Sequence, residues 1–226
     1  MMMLNRVFVY LLIALVSACA TGTTGTGASA FPPVSPDGLH LVPGTKLAAV
    51  YMKPGASLSG YDKIALLDTY VSFAKNWQRD YNEDATFENQ VSDADMQKIR
   101  TNVAQEFSRE LIRVLTADGR QIVTTGGAGV LILRPAIVNL QITAPDLMTP
   151  GMEQTFVASA GSMTLYLELL DGKTGDLIAR VIDPEAADDA GMAGIANGVT
   201  NTADFDRIVQ RWAQILNSHL AQVSKQ

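Results

Sequence analysis

The chain has 226 residues, a formal net charge of −6, one cysteine and two histidines. An acidic chain of this kind is not drawn to nucleic acid or to anionic headgroups by its charge. A single cysteine cannot close an internal disulfide, so the fold must rest on its apolar core.

The first element is a leader. Arg6 supplies a positive start, Val7 to Val16 is apolar apart from the Tyr10 hydroxyl, and Ser17 and Ala18 are small residues at a cleavage boundary. At about ten residues the run is too short to span a hydrocarbon core, which takes roughly 20. The sequence Val16-Ser17-Ala18-Cys19 resembles a bacterial lipobox. That resemblance implies cleavage before Cys19, a diacylglyceryl group on its thiol, and a fatty acyl chain such as palmitate on the new amino group. Each buried methylene adds about 0.8 kcal/mol, and two or more chains anchor stably where one does not. Ala20 in place of Asp points to the outer membrane, with the body facing the periplasm. A secretory signal cut near Ala18 or Ala20, or an uncleaved anchor, is the alternative. Residues 1–18 are thus read as signal peptide and 19–43 as a lipidated tether. The stretch from Ala20 to about Pro36 is rich in Thr, Gly, Ala, Ser and Pro. As a flexible coil it would span roughly 20–25 Å.

Residues 44–226 are long enough for one well-buried domain. Leu47 to Tyr51 reads as a strand ending at Pro54-Gly55, and Ile64 to Phe73 as a second, stronger one. The polar stretch from Lys75 to Glu83 bounds it, and Tyr81 to Gln90 has no consistent period and reads as loop. A helix starts near Ser92 or Asp93 and ends at Gly119; Met96, Ile99, Val103, Phe107 and Leu111 form its apolar stripe. Gln121 to Thr124 and Val130 to Ile142 follow as strands. Arg134-Pro135 implies a bulge or an edge position, and Val138, Leu140 and Ile142 alternate with Asn139 and Gln141. Met163, Leu165, Leu167 and Leu169 alternate with polar residues, Asp171 to Gly175 makes a turn, and Leu177 to Ile182 returns antiparallel. Phe205, Ile208, Val209, Trp212, Ile215, Leu216 and Val223 mark a last helix capped near Thr202. The expected fold is α+β: a two-layer sandwich with a mainly antiparallel sheet of about five strands and two helices packed on one face.

Chemistry-bearing residues are sparse. His40 falls in the tether and His219 on the last helix, and no G-x-S-x-G elbow surrounds any serine. Cys19 is taken by lipid on the lipobox reading. No catalytic residue, metal site or cofactor is therefore assigned, and an enzyme is not expected. Gly126-Gly127-Ala128-Gly129 leads into a strand and reads as a flexible hairpin turn rather than a phosphate loop. Asp183, Glu185, Asp188 and Asp189 form an acidic loop that could hold calcium but lacks EF-hand spacing. Lys75 to Tyr81 combines two cations with two aromatic rings, which makes Lys75, Trp77 and Arg79 the candidate interaction surface; the alternative is Trp77 tucked under its own loop with the charges solvated.

Several stretches resemble an uncharacterised family of bacterial lipoproteins, domain of unknown function thirty-three thirteen. They are Pro54 to Lys63, Phe73 to Trp77, the strand leading to Ala144-Pro145-Asp146, Gly161 to Leu165, Glu168-Leu169 and Thr174-Gly175. The resemblance covers most of the chain after the tether and brings no catalytic residue with it. Three roles fit this reading. One is a non-enzymatic envelope module with a protein partner, held to the membrane by the lipid on Cys19. The second is a hydrolase using carboxylates such as Asp146 or Asp183. The third is a carrier of a small apolar ligand between sheet and helices.

Overall fold

A computed structural model of the chain describes residues 31–117, 119–142, 160–186 and 198–223. Cys19, Asp146, Asp188 and Asp189 lie outside the described residues. In chain order the elements are β1 (His40–Leu41), β2 (Ala49–Met52), β3 (Lys63–Leu66), β4 (Tyr70–Phe73) and α1 (Trp77–Asp84). A 3-10 turn at Phe87–Asn89 precedes α2 (Asp93–Ala117); then come β5 (Gln121–Val123), β6 (Val130–Ile142), β7 (Ala160–Asp171), β8 (Leu177–Ala186) and α3 (Gly198–Val223).

The class is α+β, but the described sheet has eight strands and is mixed. Its order is β1-β2-β8-β7-β6-β3-β5, with β4 also on β6. β3 and β4 both run parallel to β6, and β5 runs parallel to β3. The expectation of about five strands is corrected to eight; the sheet is mainly but not wholly antiparallel, with three parallel pairings that the expectation did not name. A strand that leads into a helix packed on the sheet and returns alongside itself comes back parallel, and β3–β4–α2–β6 is such a crossover. The other pairs, through β6, β7, β8, β2 and β1, are antiparallel.

The single strand expected over Ile64 to Phe73 is two. The gap from Leu67 to Thr69 lies opposite Pro135, and the two facts are linked. Leu67 N–H donates to the Leu133 carbonyl at 2.9 Å, so Leu133 presents its backbone groups to β3. Two residues on, Pro135 faces the same side, where β3 has ended and no donor is required. Pro135 is therefore neither at an edge nor at a bulge; it pairs with Leu167 in the sheet interior. The bulge comes later. Asn139 adopts φ 54° and the register with β7 shifts between Val138 and Gln141. The extra residue changes the phase of the strand, so Ile137, Leu140 and Ile142 are buried while Val138 turns to the other face.

The helical segment α1 takes in the start of the expected loop, Tyr81 to Asp84, and the rest of that loop holds only the short 3-10 turn. Asn76 at φ 64° turns the chain into it, and Trp77 and Tyr81 stack at 5.4 Å one helical turn apart. The i,i+4 aromatic pair was masked by the polar residues around it. α2 begins as read: Ser92 Oγ accepts from Asp95 N–H, and Asp95 Oδ2 accepts from Ser92 N–H at 2.9 Å. Gly119 closes it at φ 82°. α3 starts at Gly198, so Thr202 lies inside it rather than at its cap.

The glycines at 126–129 serve a close approach and not a hairpin, since β5 and β6 lie on opposite sides of β3. A Cβ on Gly126 would meet the Gly172 carbonyl oxygen at 2.5 Å, and one on Gly172 would meet the Val130 carbonyl oxygen at 2.5 Å. The turn after β7 and the loop before β6 touch backbone to backbone there.

One face of the sheet carries the main core. Met163, Leu165, Leu167 and Leu169 of β7 meet Phe107, Leu111 and Leu115 of α2 and Val209, Trp212 and Leu216 of α3. On the other face Leu39, Ala49 and Tyr51 form a small cluster with Phe31, Leu41 and Ile182 beside it. Residues 31–41, which composition placed in the tether, thus lie on the sheet. All of these core residues belong to the compact unit Phe31–Gln226.

Between the helices, Glu106 of α2 faces Asp206 of α3. Burial pushes the Glu106 carboxyl above the ordinary value of 4.5; Arg109 pulls it down, and Asp206 adds to the rise. Asp206 Oδ1 is buried without a hydrogen-bond partner. A carboxyl raised on folding contributes its full stability below the unfolded value and loses it as pH climbs through the folded one. Glu106→Gln, which keeps a donor toward Asp206 without the charge, should raise the urea midpoint at pH 7–8. It should also flatten the stability profile above pH 4.5. An unchanged profile would show that the pair does not titrate on folding.

Candidate functional site

The covered face leaves a gap at one end. β7 supplies Leu165, Leu167 and Leu169 as the floor, and β8 and β2 extend it with Ala179, Val181, Val50 and Met52. α3 forms the roof with Trp212, Leu216 and His219, which share a helix face at i, i+4 and i+7. Val42, Thr45 and Leu47 before β2, and Ala56, Ser57 and Leu58 after it, close the sides. The inward side chains of β8 are short where those of β7 are leucines, so floor and roof do not meet. The result is an apolar cavity of about 290 Å³. Ligand cavities run from about 300 to 1,000 Å³ and are lined mainly by hydrophobic and aromatic groups, with a few polar ones.

The roof is fixed by a buried carboxylate. Asp183 is 4% exposed. It accepts from Trp212 Nε1 at 2.7 Å, Arg211 Nη2 at 2.8 Å and Ala48 N–H at 2.7 Å. Arg211 also pairs with Glu185. These bonds tie β8, α3 and the segment before β2 at one point. Asp183 is thereby a structural acceptor with three donors, and both described carboxylates of the expected acidic loop are engaged by Arg211. Among the described residues no group of three His, Cys, Asp or Glu side chains is placed to hold a metal ion.

The polar lining of the cavity is short. Thr45 Oγ1 donates to the Leu47 carbonyl at 2.9 Å, and Ser57 Oγ bonds Ser59. His219, read from sequence as a helix-surface group, is instead half-buried at the cavity. Its position on the Trp212–Leu216 stripe was present in the helical period, but its polarity assigned it to solvent. No sequence signal marked the cavity itself, because it depends on strands distant in sequence.

The residues read as an interaction surface lie at the other end of β4. Trp77 stacks on Phe73 at 4.8 Å and donates from Nε1 to the Ile142 carbonyl at 3.2 Å. It is half-buried against the core, with Arg100 over Phe73 at 5.5 Å. Lys75 and Arg79 are exposed, and Arg79 pairs with Asp80 and Glu83. A second concavity runs between Asp68–Val71 and α2, lined by Gln97, Arg100 and Ser108 among others. At about 790 Å³ it is larger, but it is more open and more polar in its lining than the first cavity, without the enclosure that favours a small ligand.

The chain belongs to the family described as Protein of unknown function (DUF3313), which matches residues 37–216. No curated protein matches it. Among solved structures it is similar to PelC from Paraburkholderia phytofirmans, crystallised as a dodecamer. That match has 10% identity over 71% of this chain and 96% of that one, with a TM-score of 0.35. It is also similar to a candidate lipoprotein from Caulobacter crescentus CB15, with 13% identity over 73% and 92% and a TM-score of 0.34. A candidate neuraminyllactose-binding hemagglutinin homologue from Helicobacter pylori has 9% identity over 76% and 94%, with a TM-score of 0.36. At these scores the likeness is loose and carries no statement about role or assembly.

Removing the Asp183 carboxylate leaves Trp212 Nε1 and Ala48 N–H without their acceptor. Asp183→Ala should therefore lower stability by about 3 kcal/mol in urea unfolding. Asp176→Ala breaks only the exposed pair with Lys53, and should cost under about 1 kcal/mol. Equal losses in the two variants would deny Asp183 its place at the junction.

Proposed function

We propose that the protein is a non-enzymatic lipoprotein of the bacterial outer membrane, anchored through Cys19, whose periplasm-facing body holds a small apolar ligand. The observation that carries this reading is the apolar cavity beneath α3, floored by leucines and roofed by Trp212. Its size is about twice that of a cavity of roughly 150 Å³ known to stay dry and to bind benzene. Sparse polar groups favour retention of a ligand over a reaction on it: no carboxylate is in the lining, and the Thr45 and Ser57 hydroxyls are bonded to Leu47 and Ser59 and not to His219. The lipobox, the acidic body and the family resemblance support the envelope location. Among the described residues no helix is long and apolar enough to cross a membrane. An accessory role with a protein partner draws on Lys75 and Arg79, which face solvent and leave the cavity unexplained.

Three measurements test this. Cys19→Ser should move the protein from the membrane fraction to the soluble periplasm; an unchanged distribution would reject the lipid anchor. Native mass spectrometry of the lipid-free mature chain should show a retained apolar mass, absent from a cavity-filling Ala179→Phe variant. An acyl compound at 100 times its Kd should stabilise the wild type by about 2.7 kcal/mol. No retained mass, with no stabilisation by any acyl compound, would reject the ligand.

A further inference from the structure

The cavity is graded in polarity. Its buried end is made by Leu165, Leu167, Leu169 and Trp212, all of them closed off from solvent. Its polar lining groups, Thr45, Ser57 and His219, all have some access to solvent. The two hydroxyls are already bonded within the protein. Among the described residues the His219 side chain makes no hydrogen bond and no ion pair, and it is half-buried against apolar side chains. Its ring nitrogens keep contact with solvent, so they are open to the head of a ligand whose chain lies beneath α3.

We propose that the cavity takes a single-chain amphiphile with an anionic head, its hydrocarbon chain under α3 and its carboxylate hydrogen-bonded by the His219 imidazole. This rests on the reading of the cavity as a ligand site. The volume suits one chain and not a two-chain lipid. An imidazole N–H donating to a carboxylate makes a bond roughly twice as strong as one to a neutral oxygen. A cationic head would find no carboxylate in the lining. Asp183, which holds Trp212 of the roof, is not in the lining, and its charge is offset by the ion pair with Arg211.

The test compares dodecanoate, below its micellar concentration, with dodecanol, below its solubility limit, by calorimetry on the mature chain carrying Cys19→Ser. Dodecanoate should bind the wild type more tightly than dodecanol. His219→Ala should weaken dodecanoate about tenfold and leave dodecanol unchanged, while His219→Gln, which keeps a donor, should retain most of the affinity. Matching melting temperatures would show that all variants fold. Equal binding of both compounds to wild type and His219→Ala would overturn the head-group role and leave the cavity standing. Absence of binding by both compounds to the wild type would overturn the cavity reading itself.

Discussion

The structure depends on how α3 is seated over β7 and β8. A leucine-bearing strand in mid-sheet needs a cover, and α2 alone reaches only part of it. α3 supplies the remainder, and Phe107 and Trp212 join the helices at 6.5 Å between ring centres. Apolar contact is not directional, so it does not set the rotation of α3 about its axis. The Trp212 indole on Asp183 does. That bond fixes which stripe of α3 faces the sheet, and with it the position of Leu216 and His219 above Ala179 and Val181. The cavity follows from this seating: a helix held at a defined height over short side chains cannot collapse onto them.

The opposite face of the sheet is organised by charge. Arg134, Glu168 and Arg180 lie on adjacent strands in register, and Arg180 reaches Asp37 at one side while its guanidinium lies 5.3 Å from the Tyr166 ring centre. Burial pushes the Glu168 carboxyl up, but hydrogen bonds from Arg180 and Arg134 outweigh it and hold the group below its ordinary value. Asp37 is held well below the usual carboxylate range, chiefly by the Arg180 hydrogen bonds and then by Ser35. The ladder fastens the 31–41 segment to the sheet beside the Leu39–Tyr51 cluster. Among the described residues, that face thus carries a bonded charge ladder and a small apolar cluster, while the apolar cavity lies on the helical side.

Much of this was legible where local pattern and burial agree. The stripe of α2, the β7–β8 hairpin with Gly175 at φ 77°, and the Ser92 cap all follow from spacing and residue type. Where a distant strand decides the outcome, spacing misleads. Pro135 sits inside the sheet because β3 stops opposite it. Val138 leaves the core face because Asn139 bulges. The parallel strands could have been inferred from the strand–helix–strand order, but the antiparallel hairpin dominated the reading. His219 illustrates the site-level limit: its helical position was in plain view, yet only the β2 and β8 neighbours make it a cavity residue. Residues 31–41 looked like tether because their anchors, Arg180 and Ile182, come much later in the chain.

The central claim is that the space beneath α3 is a ligand site, and the most direct measurement is a crystal structure of the mature chain grown with a fatty acid brominated along its chain. The account predicts an anomalous bromine peak among Leu167, Ala179 and Trp212, with the carboxylate at His219. A peak in the polar groove between β4 and α2, or no ordered bromine at saturating ligand, would contradict it.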